Sequence, residues 1–313
     1  MKMKKEYLIL AAVIFGLSAY LFYRSADRTH YTLPKLPALA AGDITRVQMT
    51  RGAETVTLAR QDGRWAIEPQ GWPVDPKTAQ EILEAIAALN LTALVSESKS
   101  YAVYELDDER KANVKAWQGD QLRREFDVGK AAPSFRHTFV RPAGDERVFH
   151  AQDNISFRFR MAVDDLRDKS VLAFTPEEIE EVRITQAGAT ATLTRKKAEA
   201  PAGQPAPADA WLSADGRPAD PAAVQSLLAD LSNLSCEKFI NDRDTASFEK
   251  PEAVIELKGA KEHTLKIFAP LSAEDKSRPA VSSGSDAPFT LAEHQLQQLM
   301  RPGEAYFEAG KKQ

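Results

Sequence analysis

From Ile44 onward the chain is written twice. In the stretch ITRVQMTRGAETVTLAR, residues Ile44, Val47, Met49, Thr50, Leu58 and Arg60 return without a gap as Ile179, Val182, Ile184, Thr185, Leu193 and Arg195, each 135 positions further on. Trp65 answers to Trp211, and the segment Pro73 to Leu91 answers to Pro218 to Cys236, both opening on Pro-x-Asp-Pro. A period of this length means two copies of one folded module, so a single fold must satisfy both sequences. The 313 residues are enough to bury two ordinary cores. The repeat sets a first module at 44–174 and a second at 175–313.

Inside the first module, apolar residues alternate through Ile44, Val47 and Met49 and again through Val56 and Leu58. This pattern reads as a hairpin turning near Gly52, with a third strand around Trp65 and Ile67 after the Asp62-Gly63 turn. Asp75-Pro76 then supplies a cap and a first-turn proline for a helix whose Ile82, Leu83, Ile86 and Leu89 recur at helical spacing. Further strands are expected at 112–117, 124–128, 138–141 and 147–150, with turns at Gly119-Asp120 and Gly144-Asp145, and a closing helix from about Asp153 to Leu166. The second module repeats this plan and adds an Ala/Pro-rich insert near 197–210, which suits a hairpin tip and not a strand interior.

Ahead of the modules, Tyr7 to Tyr23 carries no charge, and its 17 residues would span about 26 Å as a helix, near the lower limit for crossing a bilayer. Lys2, Lys4 and Lys5 precede the run, and Arg24, Ser25, Ala26 and Asp27 make a poor cleavage site. The expected organisation is therefore a cytoplasmic tail and transmembrane anchor at 1–23 and a stalk at 24–43 containing Pro34 and Pro37. The expected fold class is α+β: an N-terminal single transmembrane helix followed by two repeated modules of antiparallel sheet with packed helices. The expected location is the bacterial inner membrane, single-pass, with the N-terminus cytoplasmic, the bulk of the chain periplasmic and lipid contacted through the N-terminal helix.

The net charge of −4 and pI of about 5.9 argue against a nucleic-acid partner. All 15 glycines are dispersed, so the chain has neither a dinucleotide fingerprint nor a phosphate loop. It also lacks a G-x-S-x-G elbow, an H-E-x-x-H pair and a C-x-x-C pair. The histidines His30, His137, His150, His263 and His294 are scattered, and His137 with His150 on adjacent strands is the best local pair. Acidic runs at Asp107-Asp108-Glu109, Asp164-Asp165, Glu177-Glu178 and Glu180-Glu181 read as solvated faces, the last two following Thr175 as a cap. Cys236, the single cysteine, stands at the position of Leu91 and reads as a small buried apolar residue. No catalytic, cofactor-binding or metal-ligating residue is assigned, and no cofactor is expected. The densest basic group, Arg158, Arg160, Arg167 and Lys169 interleaved with Phe157 and Phe159, is the candidate interaction patch. Trp65 and Trp211 read as core anchors, whereas Trp72 and Trp117 have no tryptophan counterparts.

Taken together, the hairpin with Leu-x-Arg, the third-strand tryptophan, the Asp-Pro helix start and the segment Leu166-Arg167-Asp168-Lys169 resemble the uncharacterised family called domain of unknown function 4340. The chain departs from the pattern in one place. The Tyr-Gly-Leu usual after the first helix stands here as Tyr104-Glu105-Leu106, and in the second copy as Phe248-Glu249-Lys250-Pro251. The resemblance implies an accessory subunit beside ABC-type transport systems related to those of gliding motility, and it carries no catalytic residues. The functional expectation is a non-catalytic, membrane-anchored periplasmic accessory or scaffold contacting membrane transport subunits. The alternative is a periplasmic binding module holding a glycan, lipid or peptide in a groove between the two repeats. A hydrolase of envelope polymers is the remaining alternative.

Overall fold

The computed structural model describes residues 12–20, 31–197 and 209–307. These fall into two compact units, the first ending at Arg167 and the second beginning at Asp168.

In the first unit, β1 (Arg46–Arg51), β2 (Glu54–Gln61), β3 (Arg64–Glu68) and β4 (Trp72–Pro73) form an antiparallel meander. Gly52, Asp62 and Gly63 make its turns in left-handed backbone. Helix α1 (Pro76–Ala87) follows, its N-cap Asp75 accepting from the Thr78 amide at 2.7 Å. One face of α1 buries Ala79, Ile82, Leu83 and Ile86, and the larger three contribute up to about 2 kcal/mol each against the sheet. The helix carries the chain to β5 (Leu91–Ser96) at the opposite edge. A second meander then runs through β6 (Ala112–Gln118), β7 (Gln121–Ala131), β8 (His137–Pro142) and β9 (Val148–Gln152). The resulting nine-stranded sheet has the order β4-β3-β2-β1-β6-β7-β8-β9-β5, two meanders joined along β1 and β6. A 3-10 turn at Ser156–Phe159 and the short α2 (Val163–Leu166) close the unit.

The second unit opens with β10 (Ser170–Ala173) and then repeats the plan with β11 (Ile179–Gln186), β12 (Ala189–Lys196), β13 (Ala210–Ser213) and helix α3 (Pro221–Ser232). After α3 come β14 (Asn233–Ser235), β15 (Lys238–Phe239), β16 (Ala253–Gly259), β17 (Glu262–Ile267), β18 (Arg278–Ser282), β19 (Phe289–Leu291) and α4 (Glu293–Leu299). In its parental role α3 matches α1, with Asp220 as N-cap and Pro221 at the first position. The eight-stranded sheet, β13-β12-β11-β16-β17-β18-β19-β15, is the first sheet's order without a counterpart of β4. Even the register repeats: Met49 faces Val56 and Val114, as Ile184 faces Ala191 and Ile255.

Each unit is latched shut by the same contacts. In the first, the Val74 amide donates to Trp65 O at 2.9 Å and the Asp75 amide to Leu166 O at 2.9 Å. In the second, Ala219 donates to Trp211 O at 2.8 Å and Asp220 to Tyr306 O at 2.9 Å. Beside these bonds the guanidinium of Arg167 lies 4.0 Å from the ring of Trp72, and that of Arg217 lies 3.7 Å from the ring of Phe307. Trp72 is equivalent to Arg217, and Arg167 to Phe307. Cation and ring have exchanged places between the copies while their contact is kept.

Three expectations need correction. The protein is mostly β-sheet and not α+β: the closing helix expected from Asp153 to Leu166 is interrupted by the left-handed Asp153 (φ 68°) and by extended backbone at Ala162. Among the described residues no helix is long and apolar enough to cross a membrane. Residues 12–20 are helical, and nine residues rise only about 14 Å against a hydrocarbon core of about 30 Å. The rest of the run Tyr7–Tyr23, with Lys2, Lys4, Lys5, Arg24 and Arg28, lies outside the described residues. The expected single-pass inner-membrane location therefore has no support and is corrected with it. Nor does the described part of the stalk stand free. Leu33, Leu36, Leu39 and Ala41 pack on the first core, and the buried Arg124 on β7 donates to Pro37 O at 2.5 Å. The Ala/Pro-rich insert lies almost wholly outside the described residues.

Candidate functional site

The expected basic patch does not form one open surface. Arg167 is buried at 4% exposure against Trp72, with Asp164 at 3.9 Å. Arg158 is half-buried, its guanidinium 4.7 Å from the Phe157 ring and 3.8 Å from Glu81. Arg160, also half-buried, lies 3.6 Å from Glu105. Burial draws the Arg160 guanidinium below its ordinary range, Glu105 opposing and Arg51 reinforcing the shift. Lys169, at the start of the second unit after Asp168, is half-buried, with its carbonyl accepting from the Cys236 amide at 2.8 Å. These cations serve local packing and pairing, as long basic side chains often do.

His137 and His150 come together on β8 and β9 with their rings stacked at 5.1 Å, and Phe139 packs on His150 at the same separation. Burial, then the neighbouring His137, lowers the His150 pKa below its ordinary 6.5. A histidine depressed in the folded state binds protons more readily when unfolded, so its contribution is complete above 6.5 and is lost as pH falls through the lower folded value. The melting temperature of the parent is accordingly expected to drop between pH 7.5 and pH 5.5 more than that of His150→Gln, measured by differential scanning calorimetry. Equal pH slopes for the two proteins would refute the role. The second unit has Ser277 and Thr290 at the matching positions.

The acidic runs disperse into separate surface pairs. Asp108 meets Lys111 at 2.7 Å, Glu180 meets Lys197 at 3.2 Å, and Glu181 meets Arg183 at 3.1 Å. Thr175 makes no side-chain cap bond. Among the described residues no group of three or more His, Cys, Asp or Glu side chains is placed to hold a metal ion. Cys236 is buried in the second core. Trp117 lies under Arg46, 4.4 Å from its guanidinium. Glu105 takes a left-handed φ of 55°, keeping the backbone that a glycine would supply at that turn.

The second unit carries a cleft of about 570 Å³, within the range of small-molecule sites. Strands β11, β12 and β13 form one side, and the terminal turn Gly303–Tyr306 with Phe307 forms the other. Its apolar part is made by Ile184, Ala189, Ala191, Pro302 and Phe307. On its rim Arg217 pairs with Glu304 at 2.7 Å, and the Ser213 hydroxyl donates to Asp215. That hydrogen bond is the first cause holding the Asp215 carboxyl below its ordinary range. Gln186 spends its amide Nε2 on Met300 O at 3.2 Å, as Arg51 spends a guanidinium nitrogen on Arg160 O at 2.9 Å in the first unit.

What opens this cleft is a loss of bulk. The first unit has Val56, Ile67, Trp72 and Val163 packed on its core where the second has Ala191, Ser213, Arg217 and Gly303. Gly303 comes so close to β12 that a Cβ there would lie 2.8 Å from that of Ala191. None of these residues carries a motif. The signal that finds them is a position-by-position comparison of the two repeats.

No curated protein and no solved structure matches the chain. The sequence model of the family described as domain of unknown function (DUF4340) matches residues 65–254, which covers well over half of the chain, including the third-strand tryptophan of both copies and Leu166-Arg167-Asp168-Lys169. With the repeated sheets and their shared latch in place, the chain belongs to the DUF4340 family.

Proposed function

We propose that the protein is a non-catalytic scaffold that serves as an accessory subunit of an ABC-type transport assembly. One observation supports this most. The two units keep the same strand order, register and latch, whereas their polar groups diverge. The cross-strand pair Asp127 and Arg141, joined at 2.5 Å in the first unit, is Lys266 and Val281 in the second. His137 and His150 are likewise replaced by Ser277 and Thr290. Duplication that preserves shape and gives up chemistry suits presentation of surfaces to partners.

The test is crosslinking of the full chain in its native cells, followed by mass spectrometry of what copurifies. Recovery of a transporter permease or ATPase subunit, crosslinked to residues of either sheet, is the expected result. Repeated purification in which crosslinked partners include no transport subunit would overturn the proposal.

A further inference from the structure

We infer that the cleft of the second unit is a binding site for an apolar ligand bearing an ammonium group. The two repeats act as each other's control. Backbone register and latch are common to both, yet only the second unit exchanges Val56, Ile67 and Val163 for Ala191, Ser213 and Gly303. A fold that can fill this space, and does so in one copy, leaves it open in the other at the expense of buried apolar area.

The lining selects the ligand's chemistry. Ala189, Ala191 and Pro302 offer an apolar surface beside a polar rim that includes Ser213, Asp215, Arg217 and Glu304. Two carboxylates, Asp215 and Glu304, face a single guanidinium, Arg217, which Glu304 already engages. Asp215 is held by a neutral hydroxyl and shares the charge of Arg217 with Glu304, so these three side chains leave the rim with a net charge of −1. An ammonium group supplies the missing positive charge and donates to the rim carboxylates, and its carbon chain covers the alanines. The chemistry is shared by free alkylamines and by a lysine side chain of a partner protein.

The experiment is saturation-transfer NMR on the full chain with three probes of one shape: hexylammonium, 1-hexanol and hexanoate. Hexylammonium is expected to bind about threefold more tightly than hexanol, the difference one exposed ion contact provides, and hexanoate is expected not to bind. Asp215→Asn, which keeps the acceptor for Ser213, brings hexylammonium to the level of hexanol. Ser213→Ile, which installs the residue the first unit carries at Ile67, removes binding of both. Acetyl-Leu-Lys-amide binding as well as hexylammonium assigns the site to a protein lysine, and hexylammonium binding alone assigns it to a free amine. Hexanoate binding equal to hexylammonium overturns the inference, and this comparison needs no variant. Undiminished binding by a Ser213→Ile protein that melts like the parent overturns it as well.

Discussion

Arg124→Ala is expected to destabilise the first unit by about 3 kcal/mol, measured by urea denaturation. Arg124 is 6% exposed and, among the described residues, its guanidinium has no carboxylate partner within bonding distance; it donates to Ile86 O, to Ala87 O at 3.0 Å and to Pro37 O at 2.5 Å. Two of these carbonyls belong to the last turn of α1, where backbone oxygens lack intrahelical donors and the helix dipole favours a cation. Burial lowers the Arg124 pKa, yet an arginine remains protonated at neutral pH. Truncation takes the side-chain donor from Ala87 O and Pro37 O, leaves Ile86 O only backbone amides such as that of Leu89 at 3.4 Å, and frees the segment that precedes β1. Hydrogen exchange is therefore expected to accelerate at Ala88 and Leu89 and around Leu36. Arg124→Lys keeps the charge but cannot reach all three oxygens, and about half the loss is expected. A stability within about 0.5 kcal/mol of the parent for Arg124→Ala would mean that water serves these carbonyls equally well.

Phe149→Ala and Phe289→Ala are expected to cost about 4 kcal/mol each, by removing a fully buried ring from equivalent places on β9 and β19. Phe149 faces Val140, and Phe289 faces Ala280, in the same register. The partner in the second unit is smaller, so Phe289 fills proportionally more of its neighbourhood and the cavity left behind has fewer side chains to collapse into it. Phe→Leu at either site keeps most of the volume and is expected to cost no more than about 1.5 kcal/mol. Guanidinium unfolding with a check that the slope is unchanged distinguishes lost stability from a changed unfolded state. An Ala variant costing less than its Leu counterpart would show that the ring is not the packing element it is taken to be.

Alternation and turn chemistry made much of each sheet legible in the sequence. Gly52, Asp62-Gly63, Gly119 and Gly144 all stand in left-handed backbone at strand ends, joining β1 to β2, β2 to β3, β6 to β7 and β8 to β9 in turn. By contrast β5 was hidden, because LTALVS is only partly buried and does not alternate; its partner β9 defines it as a strand. Arg124 sits in a strand pattern where an arginine ordinarily points to water, and only tertiary contacts bring three carbonyls around it. The proximity of Arg158, Arg160, Arg167 and Lys169 in sequence suggested one patch, but Arg167 is taken by Trp72 from far upstream. For the N-terminal run, an uncharged stretch at the lower limit of length does not fix the extent of a helix. The cleft was illegible for another reason: an alanine and a glycine announce nothing unless set beside the valines they replace.

The exchange of ring and cation at the latch also bears on how such a chain can change. A substitution at Trp72 or Arg167 alone would strand its companion, so passing from one arrangement to the other requires either an intermediate that tolerates two rings or two cations, or a compensating second change. The two copies carry opposite solutions. The latch thus works as a hereditary mark, recording that the halves of this protein have been solving the same folding problem separately since they were copied.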